Sequence, residues 1–222
     1  MLMGPNNPLG APAGSITTLR GLSRQNALDW HRDRILGSDL CLAVAGPNPP
    51  EEIHALAASV FTDFAKITTP LDAKPSPLPL KTRKVIQKTD SGQCAIHLGG
   101  FAPPAKERID TTAFYILAQI VGGDMDSRLF YIVREKNGFA YQIGLDFVNT
   151  EDLGYWFVSA YCDPQDYRPC LKLIRSVLSD VCANGISAEE LMQAQNYLCG
   201  MYRLEMESVS LQAMLMSNLP IS

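Results

Sequence analysis

Apolar residues recur at helical spacing at both ends of the chain and alternate with polar ones between them. Leu22 to Ile35 reads as a helix with Ser23 as N-cap and with Leu22 and Ala27 at hydrophobic-staple spacing. Asp39 to Ala45, a short apolar run stopped by Gly46-Pro47, predicts a buried strand. Ile53, Leu56, Ala57, Val60, Phe61 and Phe64 then fall on one stripe of an amphipathic helix. The opening segment is expected to be helix, strand, helix.

Between Thr68 and Leu80 stand Pro70, Pro75, Pro77 and Pro79 among small and polar residues, too many for a helix or a central strand. This predicts a linker at 67–82 that separates a 1–66 segment from an 83–222 unit. Beyond it, Arg83–Thr89 and Gln93–Phe101 flank Asp90-Ser91-Gly92, the composition of a hairpin turn. Ile109, Ala113, Ile116, Leu117 and Ile120 mark a helix expected to end at Gly122-Gly123 through a left-handed glycine cap. Asp126 is placed to cap a short helix reaching about Lys136, which Gly138 breaks.

Tyr141, Ile143, Leu145 and Phe147 alternate with polar or small residues and predict a half-buried strand that pairs with Gly154–Tyr161. Two helices follow. Tyr167, Cys170, Leu171, Ile174, Val177, Leu178 and Val181 share one stripe, and Ser187-Ala188-Glu189-Glu190 is a capping box ahead of Leu191, Ala194, Leu198 and Met201. The order ββααββαα after an αβα segment predicts an α+β fold, an antiparallel-rich sheet with helices packed on one face. The ending, Ser217 to Ser222, shows no closing element and reads as a cut.

Composition narrows the function classes. The 222 residues are 46% apolar, ample for a core, and carry 19 Lys+Arg against 23 Asp+Glu with no basic cluster, which argues against nucleic acid as a partner. The longest apolar stretch, Ala113 to Val121, is about half of a bilayer span, so no membrane segment is expected. The six cysteines, Cys41, Cys94, Cys162, Cys170, Cys182 and Cys199, lie far apart without a Cys-x-x-Cys pair and read as buried free thiols. Such thiols point to a reducing intracellular compartment, or to the periplasm if a signal has been removed.

His31, His54 and His97 have no second ligand one helical turn away, and neither His-Glu-x-x-His nor His-x-x-Glu-His occurs, so no metal site is expected within this chain. Gly122 to Arg128 follows a helix and presents Asp124 and Asp126, the wrong context and charge for a phosphate loop. Arg134 and Tyr141 remain. In the plainest reading Arg134 solvates a helix end four residues after Phe130, and Tyr141 packs on the Ile143/Leu145/Phe147 face. The pair also has the equipment, a cation and a neutral donor, to polarise a carbonyl oxygen.

Leu40 to Pro47 with Glu51-Glu52, Gln93 to Phe101 with Asp110, Gly122 to Phe130, and Arg134-Glu-Lys-Asn-Gly-Phe-Ala-Tyr141 together resemble the pitrilysin/insulinase family of zinc metallopeptidases, which includes mitochondrial processing peptidase and bacterial relatives. The likeness runs from about Pro8 to Met206, with Ile186 to Leu191 similar to the family's late helix start. It implies tandem α+β repeats in which one half carries the zinc and the other supplies an arginine and a tyrosine that bind peptide and stabilise the tetrahedral intermediate. Those positions match Arg134 and Tyr141. The family often has glycine where Asp124 stands and leucine where Phe139 stands.

The resemblance therefore implies the non-zinc, substrate-binding repeat of such a peptidase, with 1–66 as the tail of the preceding repeat. The chain is expected to be inactive alone, to hold no cofactor itself, and to meet zinc only in a complementary half. Its expected partners are a peptide or unfolded polypeptide and a zinc-bearing repeat, in the same protein or in a dimer. A structural subunit with no peptidase role is the competing implication. Residues 39–45, without their original neighbours, are expected to seek a sheet edge in the second unit or in another copy.

Overall fold

A computed structural model describes residues 14–35, 41–62, 90 and 92–217. In chain order its elements are α1 (Ile16–Gly21), α2 (Arg24–Trp30), α3 (Pro50–Val60), β1 (Cys94–Ala102), α4 (Arg108–Ala118), β2 (Gln142–Asn149), β3 (Gly154–Cys162), α5 (Tyr167–Asn184), α6 (Ala188–Met206) and α7 (Val209–Ser217). Short π-helical stretches occupy His31–Ile35, Gln119–Gly123 and Phe130–Glu135. The chain divides into two compact units, one built from Pro79–Gly200 and one from Met3–Leu78 with Met201–Ser222. None of the described helices is long and apolar enough to cross a membrane.

The larger unit is an antiparallel sheet of order β1-β3-β2 with helices against it. Cys94 pairs with Cys162 and Ala102 with Gly154 on one side of β3, while Gln142 pairs with Tyr161 and Asn149 with Gly154 on the other. Period-two alternation decides what is buried. Val158, Ala160 and Cys162 of β3, Ile96 of β1 and Ile143 of β2 form one core with Cys170, Ile174 and Val177 of α5 and with Leu129 and Val133 of the short helix. Each fully covered aliphatic side chain there contributes roughly 1.5–3 kcal/mol relative to exposure. The fold is α+β, as the alternation and the α5 stripe imply.

Several local expectations change. The segment 41–45 joins no ladder among the described residues, and Leu42 and Val44 are about half exposed, so the predicted 39–45 strand is not formed where it can be described. A strand is stabilised by a neighbour, and this one has none among the described residues. The 83–89 strand and most of its turn lie outside the described residues. Ser23 does cap a helix, but α2 passes into a π-helical turn after Trp30, and an additional short helix, α1, precedes it on a Ser15/Thr18 capping box. Likewise α7 follows α6, its first turn held by Ser208, whose carbonyl and hydroxyl accept the amides of Gln212 and Leu211. A nine-residue, almost uniformly apolar segment carries no helical period to read.

Gly122 and Gly123 do not close α4 by a left-handed cap. Positive φ among the described residues occurs at Gly14, Gly138 and Gly185, whereas Gly122 has φ −160°. What Gly122 supplies is clearance: a Cβ there would stand 2.7 Å from the Leu145 amide nitrogen and 3.1 Å from Leu129 Cδ1. Among the thiols, Cys162 and Cys170 are buried and Cys94 is partly so, but Cys41, Cys182 and Cys199 are exposed, which corrects the uniform reading. Burial pushes the Cys162 thiol up to about 12, beside Cys170 and Cys94, and leaves it unreactive.

Candidate substrate-binding site

Arg134 and Tyr141 sit at the two ends of a tight connection between the Phe130–Glu135 helix and β2. Gly138, at φ +64°, turns the chain: its N–H goes to the Arg134 carbonyl at 2.9 Å and the Phe139 N–H to the Val133 carbonyl at 3.0 Å. On either side the backbone is anchored, because Leu129 and Val133 are fully buried and Ala140 nearly so. Both functional candidates thus project from a packed support while remaining exposed themselves. No hydrogen bond joins them.

Each polar head has its own partner. The Arg134 guanidinium lies over the Phe130 ring, 4.6 Å from its centroid, a cation–π contact one turn back along the same helix. Tyr141 N–H donates to the Tyr161 carbonyl at 2.8 Å, and its hydroxyl donates to Asp163 Oδ2 at 2.8 Å. That bond, followed by partial desolvation and the charges of Asp163 and Asp166, raises the phenol above its ordinary value. Tyr141 is 55% exposed, so the expectation that it packs on the Ile143/Leu145/Phe147 face is not met. The helix-end position of Arg134, four residues after Phe130, is as the spacing implies.

The loop ahead of this helix is tied down by a second set of side chains. Arg128 donates from Nε and Nη2 to the two carboxylate oxygens of Glu190 at 2.6 and 2.8 Å, from Nη1 to Asp180 Oδ2 at 2.9 Å, and from Nη2 to the Gly185 carbonyl at 3.1 Å. Glu190 also closes the capping box, accepting Ser187 N–H at 2.7 Å while its own N–H goes to Ser187 Oγ. Asp124, where glycine is common in the resembling family, accepts the Met125 amide at 2.6 Å and, beside Tyr197 of α6, holds that phenol above its ordinary value. It is this aspartate, not Asp126, that takes an amide at the head of the turn.

The Arg128 guanidinium holds the Glu190 carboxyl down at about 2, against 4.5 ordinarily, with burial opposing and the Ser187 bonds assisting. A depressed folded-state value contributes stability that is complete above the unfolded value and is lost as pH falls through the folded one, here between about pH 4.5 and 2. Glu190→Gln keeps the capping geometry and removes the charge. It is expected to lower stability by about 2 kcal/mol at pH 7, after allowance for partial solvent screening, and by distinctly less at pH 3. Urea unfolding at both pH values checks this, and equal stability of the two proteins at pH 7 would contradict it.

Asp163 and the partners of Arg128 escaped the sequence reading. Asp163 stands one residue past the end of β3, and the Tyr141 N–H, bonded to the Tyr161 carbonyl, is already out of the Gln142–Tyr161 register, so strand alternation does not point to this pair. Nothing local links Arg128 to Glu190, which lies 62 positions on. The described residues bring no three His, Cys, Asp or Glu side chains together as a metal-ligand set, and His31, His54 and His97 are exposed.

A family model described as the peptidase M16 inactive domain matches residues 21–198. The chain belongs to that family. It is a member of the inactive-domain group of zinc-protease-like metallopeptidases, the pitrilysin/insulinase lineage its motifs resemble. An uncharacterized zinc protease of Streptomyces coelicolor is 28% identical over 214 residues, covering 91% of this chain and 45% of that protein. The M16 inactive domain thus spans about half the length of the curated relatives it matches. Among solved structures, a Helicobacter pylori protease superposes with TM-score 0.77 at 16% identity, over 93% of this chain and 51% of that one. A peptidase M16 inactive domain from Pseudomonas fluorescens gives 0.66 at 20% identity, over 84% and 45%. At such identities the likeness shows the fold.

Proposed function

We propose that this chain is the substrate-binding, non-catalytic half of a zinc metallopeptidase, with Arg134 and Tyr141 directed at the peptide backbone. Zinc, and the water it activates, belong to a complementary half in the same protein or in a partner subunit, and the two halves assemble as a dimer-like pair. The observation that carries this reading is the combination of exposed polar heads with a rigid base: Arg134 and Tyr141 face solvent while Val133 and Ala140, beside them in sequence, are buried. A guanidinium and a phenol so held can donate to a carbonyl oxygen as negative charge develops on it, and their fixed backbones limit the reorganisation required. The substrate class is a peptide or unfolded polypeptide.

A structural subunit without peptidase role is the second reading. Its support is that both heads are already engaged in this structure, Arg134 on Phe130 and Tyr141 on Asp163. Complementation separates the two. Mixed with a zinc-bearing half, the chain is expected to yield peptide hydrolysis that neither half shows alone. Stable assembly whose hydrolysis rate equals that of the zinc-bearing half alone would favour the scaffold.

A further inference from the structure

The Tyr141 hydroxyl has one proton, and in this structure that proton is committed. It is donated to Asp163 Oδ2 at 2.8 Å, so the oxygen retains only acceptor capacity. The proposed role needs the opposite, a hydroxyl that donates to a substrate carbonyl. Both residues are fixed at the backbone: Tyr141 N–H is bound to the Tyr161 carbonyl at 2.8 Å, and the Asp163 carbonyl accepts Asp166 N–H at 2.9 Å in the turn that starts α5. The contact joins residues 22 apart in sequence, where the chain enters β2 and where β3 gives way to the turn that starts α5. It is also open to water, since Tyr141 is mostly exposed and Asp163 is only partly buried, so its strength is moderate and a competitor can reach it.

We propose that Asp163 is a positioning residue for Tyr141: it holds the phenol in one rotamer in the absence of substrate and yields the hydroxyl's hydrogen bond to the carbonyl of a bound peptide. This rests on the substrate-binding reading above and adds to it a residue that acts through Tyr141 without touching substrate. Asparagine at 163 keeps an acceptor oxygen at the same reach, and alanine removes it. A neutral acceptor holds a phenol about half as strongly as a carboxylate does. Asp163→Asn is thus the conservative variant and Asp163→Ala the disruptive one.

Two measurements test the proposal. In the 222-residue chain labelled with 13Cζ-tyrosine, the Tyr141 resonance, assigned by its loss in Tyr141→Phe, is titrated from neutral to alkaline pH. The groups whose charges act on the phenol are Asp163, Asp166 and Cys162. Its midpoint is expected to fall toward that of an ordinary tyrosine in both Asp163→Asn and Asp163→Ala. In the complex with a zinc-bearing half, Asp163→Ala is expected to lower kcat about tenfold, with KM no higher, and Asp163→Asn to recover most of that loss. Placed in a Tyr141→Phe background, Asp163→Ala is expected to have no further effect.

An unmoved midpoint, or losses that simply multiply in the double variant, would overturn the positioning role of Asp163 alone. A Tyr141→Phe complex with normal turnover would overturn it together with the substrate-binding reading. A general loss of fold on removing Asp163 is told apart by the same spectra, since it would move every tyrosine resonance and not only that of Tyr141.

Discussion

In a complex with its zinc-bearing half, Tyr141→Phe is expected to lower kcat by roughly one to three orders of magnitude, the range for removing one donor to a developing oxyanion. KM should change little, because a donor aimed at the transition state contributes less to ground-state binding. Arg134→Ala should fall in the same range, and Arg134→Lys should restore only part of the rate, since an ammonium lacks the planar fork of the guanidinium. The exposure of these side chains makes the experiment clean. Tyr141 is 55% exposed and its hydroxyl bond to Asp163 is open to water, so its loss should leave folding stability nearly unchanged. A large rate loss in a protein of unchanged stability can then be assigned to the site.

The second large effect is on stability. Leu129 is fully buried at the start of the helix that carries Arg134, and its Cδ1 lies 3.1 Å from where a Gly122 Cβ would be. Leu129→Ala leaves a cavity between that glycine, Leu145 and the sheet. The expected loss is about 3–5 kcal/mol, the range for large-to-small changes at sites that cannot collapse. Collapse is hindered here because both flanks are backbone that is itself anchored, Gly122 against the Leu145 amide and the helix through the Arg128–Glu190 pair. Urea unfolding at pH 7 would read this as a lower midpoint at constant slope. A loss under about 1 kcal/mol would mean that the short helix is not part of the core, and that Arg134 has no rigid support.

How far these features were legible in the residues depended on whether the physics was local. The α5 stripe from Tyr167 to Val181 and the Ser187/Glu190 box are local periodicities, and both formed as read. The β2–β3 pairing was legible for the same reason, since the alternation from Tyr141 to Phe147 is local and the loop to Gly154 is short and polar. By contrast the 39–45 run had composition for a strand but has no neighbour among the described residues, and a strand's hydrogen bonds lie outside itself. Gly122 and Gly123 were correctly marked as a stop and given the wrong cause. At Gly122 the requirement is room for Leu145, which comes from a strand that follows 20 residues later, whereas a Cβ at Gly123 would meet the Gln119 side chain.

The candidate site divides along the same line. Arg134 and Tyr141 were found by motif, and the tight turn between them at Gly138 could be read from sequence. Their immediate partners could be read only in part: Phe130 under Arg134 follows from helical spacing, while Asp163 meets Tyr141 through the turn after β3, beyond the paired residues. The Arg128 clamp joins residues that only tertiary packing brings together. Asp124 in the same loop accepts the neighbouring Met125 amide and lies beside the Tyr197 phenol.

The sharpest test is turnover of a zinc-bearing half paired with either this chain or its Arg134→Ala/Tyr141→Phe double variant, with complex formation measured by sedimentation in the same samples. Equal assembly with hydrolysis reduced at least about tenfold is the expected result. Equal assembly with equal hydrolysis would contradict the proposed role and leave the chain as a scaffold.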